Sequence, residues 1–490
     1  MSAAAATVVA AALAGCGSTT YFAGRQLPPS GLKNRVVIAI QNPSAFTKGA
    51  LEIVDAYYDI RSGYTGQPAS FSLSGFGGAL PISIQSMPEE QTAYVYGSGD
   101  GSLTIANYGG EKTSGTISGL NGPSSSIFAT RNGTWVFAAS QQAHVLTVVN
   151  QVTGASYPLS LPGVYRVSVN PGGSMAIAFV QNSNYAYYPR QLTSAQTLNY
   201  SGGPSTWPKA AVDCEPQNAP GWCLFQAQSP DHLDSTGNYY GDPLVFDRPV
   251  KAVFSADGGT AYVLNCGPEC GGSKSSISLL PIAPMIFTLG QPSGLLPCNL
   301  APCSNAFTTP ITNILVPAGA SNALVTTNTM YVVGQHLMPD GLFGGFLTVL
   351  NLATNTIVPS TSASPNPVSI SDGVAGATSR MLQADDNTLW IGMTKCDRGE
   401  RINSGLAYGC LTMYNTNTGK VMLLEPFSGD LTGIAGVTGL HKVYVAQGGQ
   451  VNIYSTVDGR AIDNQYVTVS GTAYDVAYMD AVTDANNTVY

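Results

Sequence analysis

Charged residues are scarce in this chain. They form 10% of its 490 residues, against about 25% in an average soluble domain. The 20 basic and 28 acidic side chains give a net charge of -8, and the basic residues form no run. Nucleic acid is therefore not expected as a partner, because phosphate recognition needs clustered Lys and Arg.

Motifs for metal or nucleophilic chemistry are missing as well. The chain has four histidines and contains neither Gly-x-Ser-x-Gly nor His-Glu-x-x-His, the patterns of hydrolase and metalloprotease sites. We predict no cofactor and no metal, and we assign no catalytic residue. Long apolar runs are also missing, since no stretch reaches the roughly 18 residues that span a membrane.

Turn residues and hydrophobic residues are abundant, with 55 Gly, 31 Pro and 44% hydrophobic side chains. This composition favours an all-β chain. The stretch Pro249–Asn265 (PVKAVFSADGGTAYVLN) alternates apolar side chains up to Phe254, turns at Asp257-Gly258-Gly259, and resumes an apolar run. Because Asp-Gly accepts positive φ at low cost, the stretch predicts a β-hairpin.

Similar strands recur along the chain. The second strand of each repeat is centred near one of eight residues: Val37, Val95, Val136, Ile177, Val263, Val332, Ile391 and Tyr444. The shortest spacing, 41 residues, suits a four-stranded propeller blade and is too short for tandem sandwiches of about 100 residues. We therefore predict a single β-propeller of four-stranded antiparallel blades over residues 34–481, with eight blades by count and seven as the alternative.

The two ends of this domain are predicted to pair. The first repeat lacks its innermost strand, and Ala473–Met479 supplies a surplus strand. Its pairing with Arg35–Gln41 would close the propeller and remove an exposed sheet edge. Residues 482–490 then form a C-terminal tail, and a long insert is expected at about 182–247.

Three short segments resemble a known repeat. Thr-Ala-Tyr-Val at Thr260–Val263, Thr-Val-Val-Asn at Thr147–Asn150 and Thr-Gly at Thr153–Gly154 are similar to the YVTN-type β-propeller repeat of bacterial surface proteins. The resemblance spreads loosely over Arg35–Met479. It implies a propeller, usually of seven blades, that is used for binding or as a scaffold, and some related propellers are lactonases.

The N-terminus carries an export pattern. Ala3–Leu13 is small and apolar, and the Leu-Ala-Gly-Cys sequence that ends at Cys16 resembles the lipobox of bacterial lipoproteins. The resemblance implies a signal peptide over residues 1–15, a lipid on Cys16 and a tether over residues 16–33. No Lys or Arg precedes the apolar run, although a signal peptide normally has one. A start upstream of Met1 therefore stays open, as does a chance alanine-rich start with a buried cysteine.

The nine cysteines support export. Removal of Cys16 leaves eight, which fall in close pairs: Cys214/Cys223, Cys266/Cys270, Cys298/Cys303 and Cys396/Cys410. We predict disulfide bonds, which exported chains favour, although the pairing of neighbours is one of 105 connectivities. Metal binding is the rival interpretation, but none of these spacings is Cys-x-x-Cys.

The predicted topology indicates where a ligand would bind. Short turns join the first strand to the second and the third to the fourth, whereas long connections join the second to the third and each blade to the next. We assign Gly290–Pro310 to the long kind and expect all four cysteine pairs at one face, whose ordered loops are where binding residues usually lie. The candidate binding face holds side chains that are also compatible with ordinary solvated loops: Trp207, Asp231, His232, Tyr239, Tyr240, Glu269, His336, Asp340, Asp397, Arg398 and Arg401.

Together these patterns predict an exported β-propeller that is lipid-anchored to the bacterial cell envelope and acts as a cell-surface binding or scaffold module. The expected partners are the membrane, through the lipid, and an envelope protein or a glycan. One alternative is a lactonase-type hydrolase with acids and His232 or His336 in the central funnel. Another is an envelope-assembly lipoprotein, which rests on fold analogy alone. An enzyme would need at least two titratable groups that converge on one substrate position.

Overall fold

The fold is an eight-bladed β-propeller. Each blade is an antiparallel sheet, and most blades have four strands. The computed structural model describes residues 28–59, 72–131, 133–192, 194–217, 221–229, 232–233, 239–282, 312–339, 341, 343–374, 377–396, 409–424, 429–467 and 469–481. The predicted fold class and the count of eight blades are confirmed, because each predicted second strand occupies that position in a separate sheet. The signal-peptide segment, Cys16 and the C-terminal tail lie outside the described residues.

The chain divides into two compact units. The first comprises Met1–Thr116, Ser379–Lys395 and Ser404–Val489, and the second comprises Ile117–Thr378 and Cys396–Asn403. Blades 1, 2, 7 and 8 belong to the first unit, and blades 3 to 6 belong to the second.

The first unit is built on the chain termini. Blade 1 contains β1 (Arg35–Gln41), β2 (Gly49–Asp55) and, as its innermost strand, β35 (Thr472–Tyr478). Blade 2 contains β3 (Pro81–Met87), β4 (Thr92–Gly97), β5 (Ser102–Asn107) and β6 (Lys112–Ile117), with a 3-10 turn at Pro88–Glu90. Blade 7 contains β27 (Thr378–Ala384), β28 (Thr388–Met393), β29 (Cys410–Asn415) and β30 (Val421–Leu424). Blade 8 contains β31 (Leu431–Val437), β32 (Lys442–Gln447), β33 (Gln450–Ser455) and β34 (Ala461–Val467).

The second unit holds the more elaborate blades. Blade 3 contains β7 (Ser126–Ala129), β8 (Trp135–Ser140), β9 (Val145–Asn150) and β10 (Ser156–Ser160). Blade 4 contains β11 (Val164–Val169), β12 (Ala176–Val180), β13 (Ala186–Gln191), β15 (Trp222–Gln226) and an outer fifth strand, β14 (Ala211–Glu215). Blade 5 contains β18 (Pro249–Phe254), β19 (Thr260–Asn265), β20 (Ser276–Pro281) and β21 (Thr312–Leu315), and blade 6 contains β22 (Asn322–Val325), β23 (Thr329–Leu337), β24 (Phe343–Asn351), β25 (Thr356–Ile357) and β26 (Val368–Val374).

Blade 4 carries two excursions within residues 182–247. The first, between β13 and β15, contains helix α1 (Ser194–Tyr200), a 3-10 turn at Pro204–Thr206 and β14. The second follows β15 and contains a short hairpin of β16 (His232–Leu233) and β17 (Tyr239–Tyr240). A further 3-10 turn, Gly267–Cys270, follows β19 in blade 5.

The predicted hairpin in blade 5 is present. β18 and β19 pair antiparallel, and the turn between them has Gly258 at φ +70°, a conformation that glycine adopts without steric cost. The Asp257 carboxylate accepts hydrogen bonds from the Ser255 hydroxyl at 2.5 Å and from the Gly259 N–H at 2.9 Å. Local turn chemistry therefore fixes the register of these two strands.

The hydrophobic core lies in layers between neighbouring blades. Between blades 4 and 5, Ile177 and Phe179 of β12 belong to the same buried cluster as Ala261 and Val263 of β19. Because side chains alternate along a strand, each middle strand contributes to two such layers. This is why the second strands read as continuous apolar runs in the sequence.

Connections at the two ends of a blade differ. We call the end with the first-to-second and third-to-fourth connections the turn end, and the opposite end the loop end. The assignment of Gly290–Pro310 to the loop end is wrong, because the fourth strand of blade 5, β21, comes after it and pairs with β20. The connection from β20 to β21 therefore belongs to the turn end, and Cys298 and Cys303 lie outside the described residues.

The cysteine pair of blade 4 also departs from the expectation of a single face. Cys214 and Cys223 form a disulfide between β14 and β15, within the excursion that leaves the turn end. Cys266 and Cys270 form a disulfide at the loop end, and Cys396 and Cys410 are each disulfide-bonded. Disulfide bonds are thus confirmed, but the expectation that all four pairs lie at one face is wrong.

The predicted pairing of the two termini is confirmed. β1 pairs antiparallel with β35, with Val36 opposite Tyr478. Arg35 at the start of β1 is fully buried, and its guanidinium donates to both carboxylate oxygens of Asp480, at 3.0 and 2.6 Å. The same group donates to Glu111 at 2.9 Å and to the Tyr108 carbonyl at 2.7 Å. One side chain thus joins the first strand, the last strand and blade 2.

We predict that Arg35→Met lowers the free energy of unfolding by about 3–5 kcal/mol, because it leaves two buried carboxylates without their cation. Urea unfolding of the purified chain measures the effect. Arg460→Met is the matched control, since Arg460 is 86% exposed in its contact with Asp458 and exposed pairs contribute about 0–1 kcal/mol. Equal losses in the two variants would contradict the role of the buried network.

Candidate functional site

A cleft of about 430 Å³ opens at the loop end of blades 4 and 5, in the second unit. Charged, aromatic and cystine side chains line it: Tyr165, Arg166, Arg248, Cys266, Glu269 and Cys270. The volume falls within the range of about 300–1,000 Å³ that small-molecule sites occupy. The cleft is therefore large enough to hold a ligand of a few rings.

Glu269 is positioned by a short cystine-closed turn. It lies in the 3-10 turn Gly267–Cys270 directly after β19, and the Cys266–Cys270 disulfide spans that turn. A bond that closes so short a loop contributes about 2 kcal/mol by restricting the unfolded chain. The carboxylate oxygen Oε2 lies 3.9 Å from Cys266 Sγ, so the acid packs directly on the disulfide.

Two glycines make room for this carboxyl group. Gly319 has φ +85°, and a Cβ added there would collide with Glu269 Oε1 and with the backbone of Gln335. A Cβ on Gly334 would in turn meet the backbone of Gly319. Only residues without a side chain allow the three segments to approach this closely.

The carboxyl group of Glu269 is poorly solvated. Its Oε1 atom is buried and has no hydrogen-bond partner among the described residues. Burial raises the pKa of Glu269 to about 8, and the backbone N–H of Gln335 opposes that shift only in part. The group is therefore mostly neutral at pH 7, and it presents a carboxylic acid rather than a carboxylate.

Two arginines bring positive charge to the cleft. The Arg166 guanidinium lies 5.7 Å from the ring centre of Tyr165 and donates to the Val250 carbonyl at 3.4 Å. Arg248 donates to the carbonyls of Gly271, at 3.3 Å, and of Asn182. Both are half-buried, and neither forms an ion pair within the part of the chain that the structure describes. Because Glu269 is mostly neutral, it cancels little of their charge, and the carboxylate that interacts electrostatically with Arg248 is that of Asp247.

The candidate residues from the sequence are only partly brought together. Glu269 lines the cleft. His336 is exposed near the end of β23, where its ring makes an edge contact with Phe346 at 6.2 Å. His232, Tyr239 and Tyr240 lie on the β16–β17 hairpin at the loop end of blade 4. Asp231, Asp340, Asp397, Arg398 and Arg401 lie outside the described residues.

Trp207 does not belong to the same face. It lies in the turn-end excursion of blade 4, where it packs against a buried cluster that includes Tyr200, Cys214 and Phe225. The structure does not bring it together with Glu269, because the connection that carries it joins the third strand to the fourth. The aromatic ring anchors the excursion on the outer strands of the blade.

Sequence reasoning missed Arg166 and Arg248. Arg166 lies within β11, two residues after its start, and Arg248 lies directly before β18. A search for polar loop residues passes over the first strands of the blades. The usable signal is an arginine at the loop end of an innermost strand in a chain that has so few charges.

Comparisons with known proteins add no function. No protein-family model and no curated protein sequence matches the chain. Among solved structures, dihydro-heme d1 dehydrogenase NirN in complex with DHE is 9% identical, with a TM-score of 0.49, over 92% of this chain and 75% of that chain. The hydrazine synthase of Kuenenia stuttgartiensis is 12% identical, with a TM-score of 0.43, over 80% and 99%.

A third similar structure is a putative 6-phosphogluconolactonase from Bacteroides fragilis. It is 11% identical, with a TM-score of 0.38, over 91% of this chain and 97% of that chain. Likeness at this level carries no argument about chemistry, because one propeller fold hosts unrelated functions. The fold and the cleft define a β-propeller with a cationic, acid-bearing pocket at the loop end of two blades.

The raised pKa of Glu269 predicts a pH dependence of stability. An acid whose pKa rises on folding, here from 4.5 to about 8, costs stability as the pH rises between these values. We expect the stability gained by Glu269→Gln over wild type to grow by about 2 kcal/mol from pH 5 to pH 9, a value discounted for the open cleft. Urea unfolding across this pH range measures the gain.

Glu89→Gln, at an exposed position in the 3-10 turn of blade 2, is the matched control. For each variant, the free energy of unfolding is compared with that of wild type at each pH. If this difference changes with pH as much in Glu89→Gln as in Glu269→Gln, the burial of the Glu269 carboxyl group is contradicted.

Proposed function

We propose that this protein is an exported binding module of the bacterial cell envelope, and that the Glu269 cleft recognises an acidic glycan. The observation that carries the proposal is the combination of Arg166, Arg248 and a neutral Glu269 in one cleft. Arginine pairs well with carboxylates because its planar donors match the two oxygens. A protonated acid can donate a hydrogen bond to a ligand oxygen.

Binding is favoured over hydrolysis by the composition of the cleft. Among its described lining residues, Glu269 is the single carboxyl group and no histidine is present. General acid–base catalysis of ester or glycoside hydrolysis commonly pairs two titratable groups around the reacting atoms. Two arginines and one neutral acid instead suit the recognition of a charged ligand.

Export and lipid attachment form part of the same proposal. The disulfides of blades 4 and 5 are typical of oxidising compartments. Within the described residues, no helix is long and apolar enough to cross a membrane. The lipobox-like sequence supports attachment of a lipid at Cys16, and the Thr-Ala-Tyr-Val strand start in blade 5 supports kinship with YVTN-type surface propellers.

Oligosaccharides of galacturonic acid test the cleft, with the same oligosaccharides as methyl esters for comparison. We expect the acid form to bind wild type and the neutral ester to bind at least tenfold more weakly, because the arginines contact the carboxylate. Arg166→Ala and Arg248→Ala should each raise the Kd about 10- to 100-fold, since one charge-assisted contact is worth about 1.5–3 kcal/mol. Isothermal titration calorimetry at pH 6 measures these constants.

Arg131→Ala is the control, because Arg131 belongs to the first-to-second turn of blade 3, at the turn end. Binding of acid and ester with equal affinity would contradict the proposal, and so would Arg166 and Arg248 variants that bind as wild type does.

Lipid attachment is tested in bacterial cells that express the full chain. We expect wild type to be labelled by radiolabelled palmitate and the Cys16→Ser variant to be unlabelled, because the lipid is placed on the cysteine thiol and amine. The Ser18→Ala variant should keep the label. Mass spectrometry of the purified N-terminus identifies the modified residue. A Cys16→Ser variant that keeps the label would rule out this anchor.

A further inference from the structure

A second cavity, of about 320 Å³, opens near the cleft at the loop end of blade 5. Its lining differs from that of the cleft, since amide and hydroxyl side chains predominate: Asn184, Asn265, Ser276, Ser278 and Asn313. Val245 and Phe246 also line it. Neither arginine of the cleft contributes.

The polar lining follows from strand register. Asn265 of β19 lies opposite Ser276 of β20, and Ser278 lies opposite Asn313 of β21. Because side chains alternate, these residues share one face of the blade 5 sheet. Further along the same face, Val263 and Leu280 belong to the apolar layer between blades 4 and 5. The face therefore changes from apolar to polar toward the loop end.

These side chains form an ordered hydrogen-bond ladder. The Asn265 amide Nδ2 donates to Ser276 Oγ at 3.0 Å and to Ser278 Oγ at 2.7 Å. Ser278 Oγ donates to Asn313 Oδ1 at 2.6 Å. The ladder fixes the positions of the hydroxyl groups before any ligand arrives, which lowers the entropy cost of binding.

One atom of the ladder is left unsatisfied. Asn265 is 1% exposed, yet its Oδ1 has no hydrogen-bond partner among the described residues. Reversal of the amide would leave its nitrogen unsatisfied instead. A buried polar atom without a partner costs about 1–3 kcal/mol, so a hydrogen-bond donor that reaches Asn265 Oδ1 would recover that free energy.

Among the described residues that line the cavity, Asp247 is the one charged side chain. Its carboxylate already accepts the N–H groups of Ser273 and Lys274, at 2.9 and 2.8 Å, and the Ser273 hydroxyl. Val245 is 62% exposed and supplies an apolar contact beside the polar ladder. Neutral hydroxyl groups on a partly apolar ring match this lining, because a sugar both donates and accepts hydrogen bonds and has C–H faces.

We propose that this cavity is a binding subsite for a neutral sugar unit. The ladder of Asn265, Ser276 and Ser278 binds the sugar hydroxyls, and Val245 contacts a C–H face. The inference does not rest on the acidic-glycan site, since it uses different side chains and a ligand of different charge.

An array of neutral oligosaccharides of hexoses, pentoses and N-acetylhexosamines, applied to the full chain, tests the proposal. We expect at least one neutral sugar to bind, with a Kd that Ser276→Ala and Asn265→Leu each raise at least tenfold. Since Asn265→Leu alters a buried residue, Val245→Asp serves as a variant at an exposed position, and we expect it to weaken binding at least fivefold. Val152→Asp, at an 80% exposed position in a turn of blade 3, is its matched control.

Calorimetry of the selected sugar separates this subsite from the cleft. The proposal is supported if neutral-sugar binding is lost in Val245→Asp and kept in Val152→Asp and in Arg166→Ala. This result is independent of whether acidic oligosaccharides bind the cleft. Absence of any neutral-sugar binding overturns it. So does binding that Ser276→Ala and Val245→Asp leave unchanged, or binding that depends on Arg166.

Discussion

A guanidinium shielded from water joins the two ends of the propeller. Arg35 contacts Asp480, which is 445 residues away in the chain, and Glu111 in blade 2. Burial of a charge is costly unless it is paired and its donors are satisfied, and here each arm of the arginine has an acceptor. The pairing of β1 with β35 is thereby fixed in register, and a sheet that would otherwise present an open edge is completed. Asp475 adds a further contact, since its carboxylate accepts the N–H of Ile84 at 2.8 Å.

The connections differ between the two ends of a blade. Short turns such as Asp257-Gly258-Gly259 need only local hydrogen bonds. At the loop end of blades 4 and 5, the chain instead places a cystine-closed turn against two glycines. That close packing desolvates Glu269, so the acid is mostly neutral and cancels little of the charge of Arg166 and Arg248. The raised pKa of Glu269 therefore results from the close approach of its turn to the backbone at Gly319 and Gly334, and no local sequence motif predicts it.

Features that depend on strand pattern are predictable from the sequence, whereas those that depend on contacts between distant segments are not. The blade count follows from apolar second strands, which are buried on both faces, and the closure follows from a missing strand at one end and a surplus strand at the other. Outer strands carry a weaker signal in the sequence. β21 is largely exposed, so its polar sequence does not stand out, and this is why the sequence places the connection before it at the loop end. Glu269 is recognisable as a loop acid, but its raised pKa depends on Gly319 and Gln335, which lie 50 and 66 residues further along. Asn265 reads as the end of an apolar strand, and its role emerges only from its register opposite Ser276.

The central claim is that Glu269 is a mostly neutral acid in a cleft that Arg166 and Arg248 also line. The most direct test is the ¹³C chemical shift of its carboxyl carbon in a chain labelled at glutamate, with the resonance assigned by its loss in Glu269→Gln. A titration midpoint near pH 8 is the predicted result. A midpoint near 4.5 would show that the group is ionised at neutral pH, and it would contradict the proposed recognition of an anionic ligand.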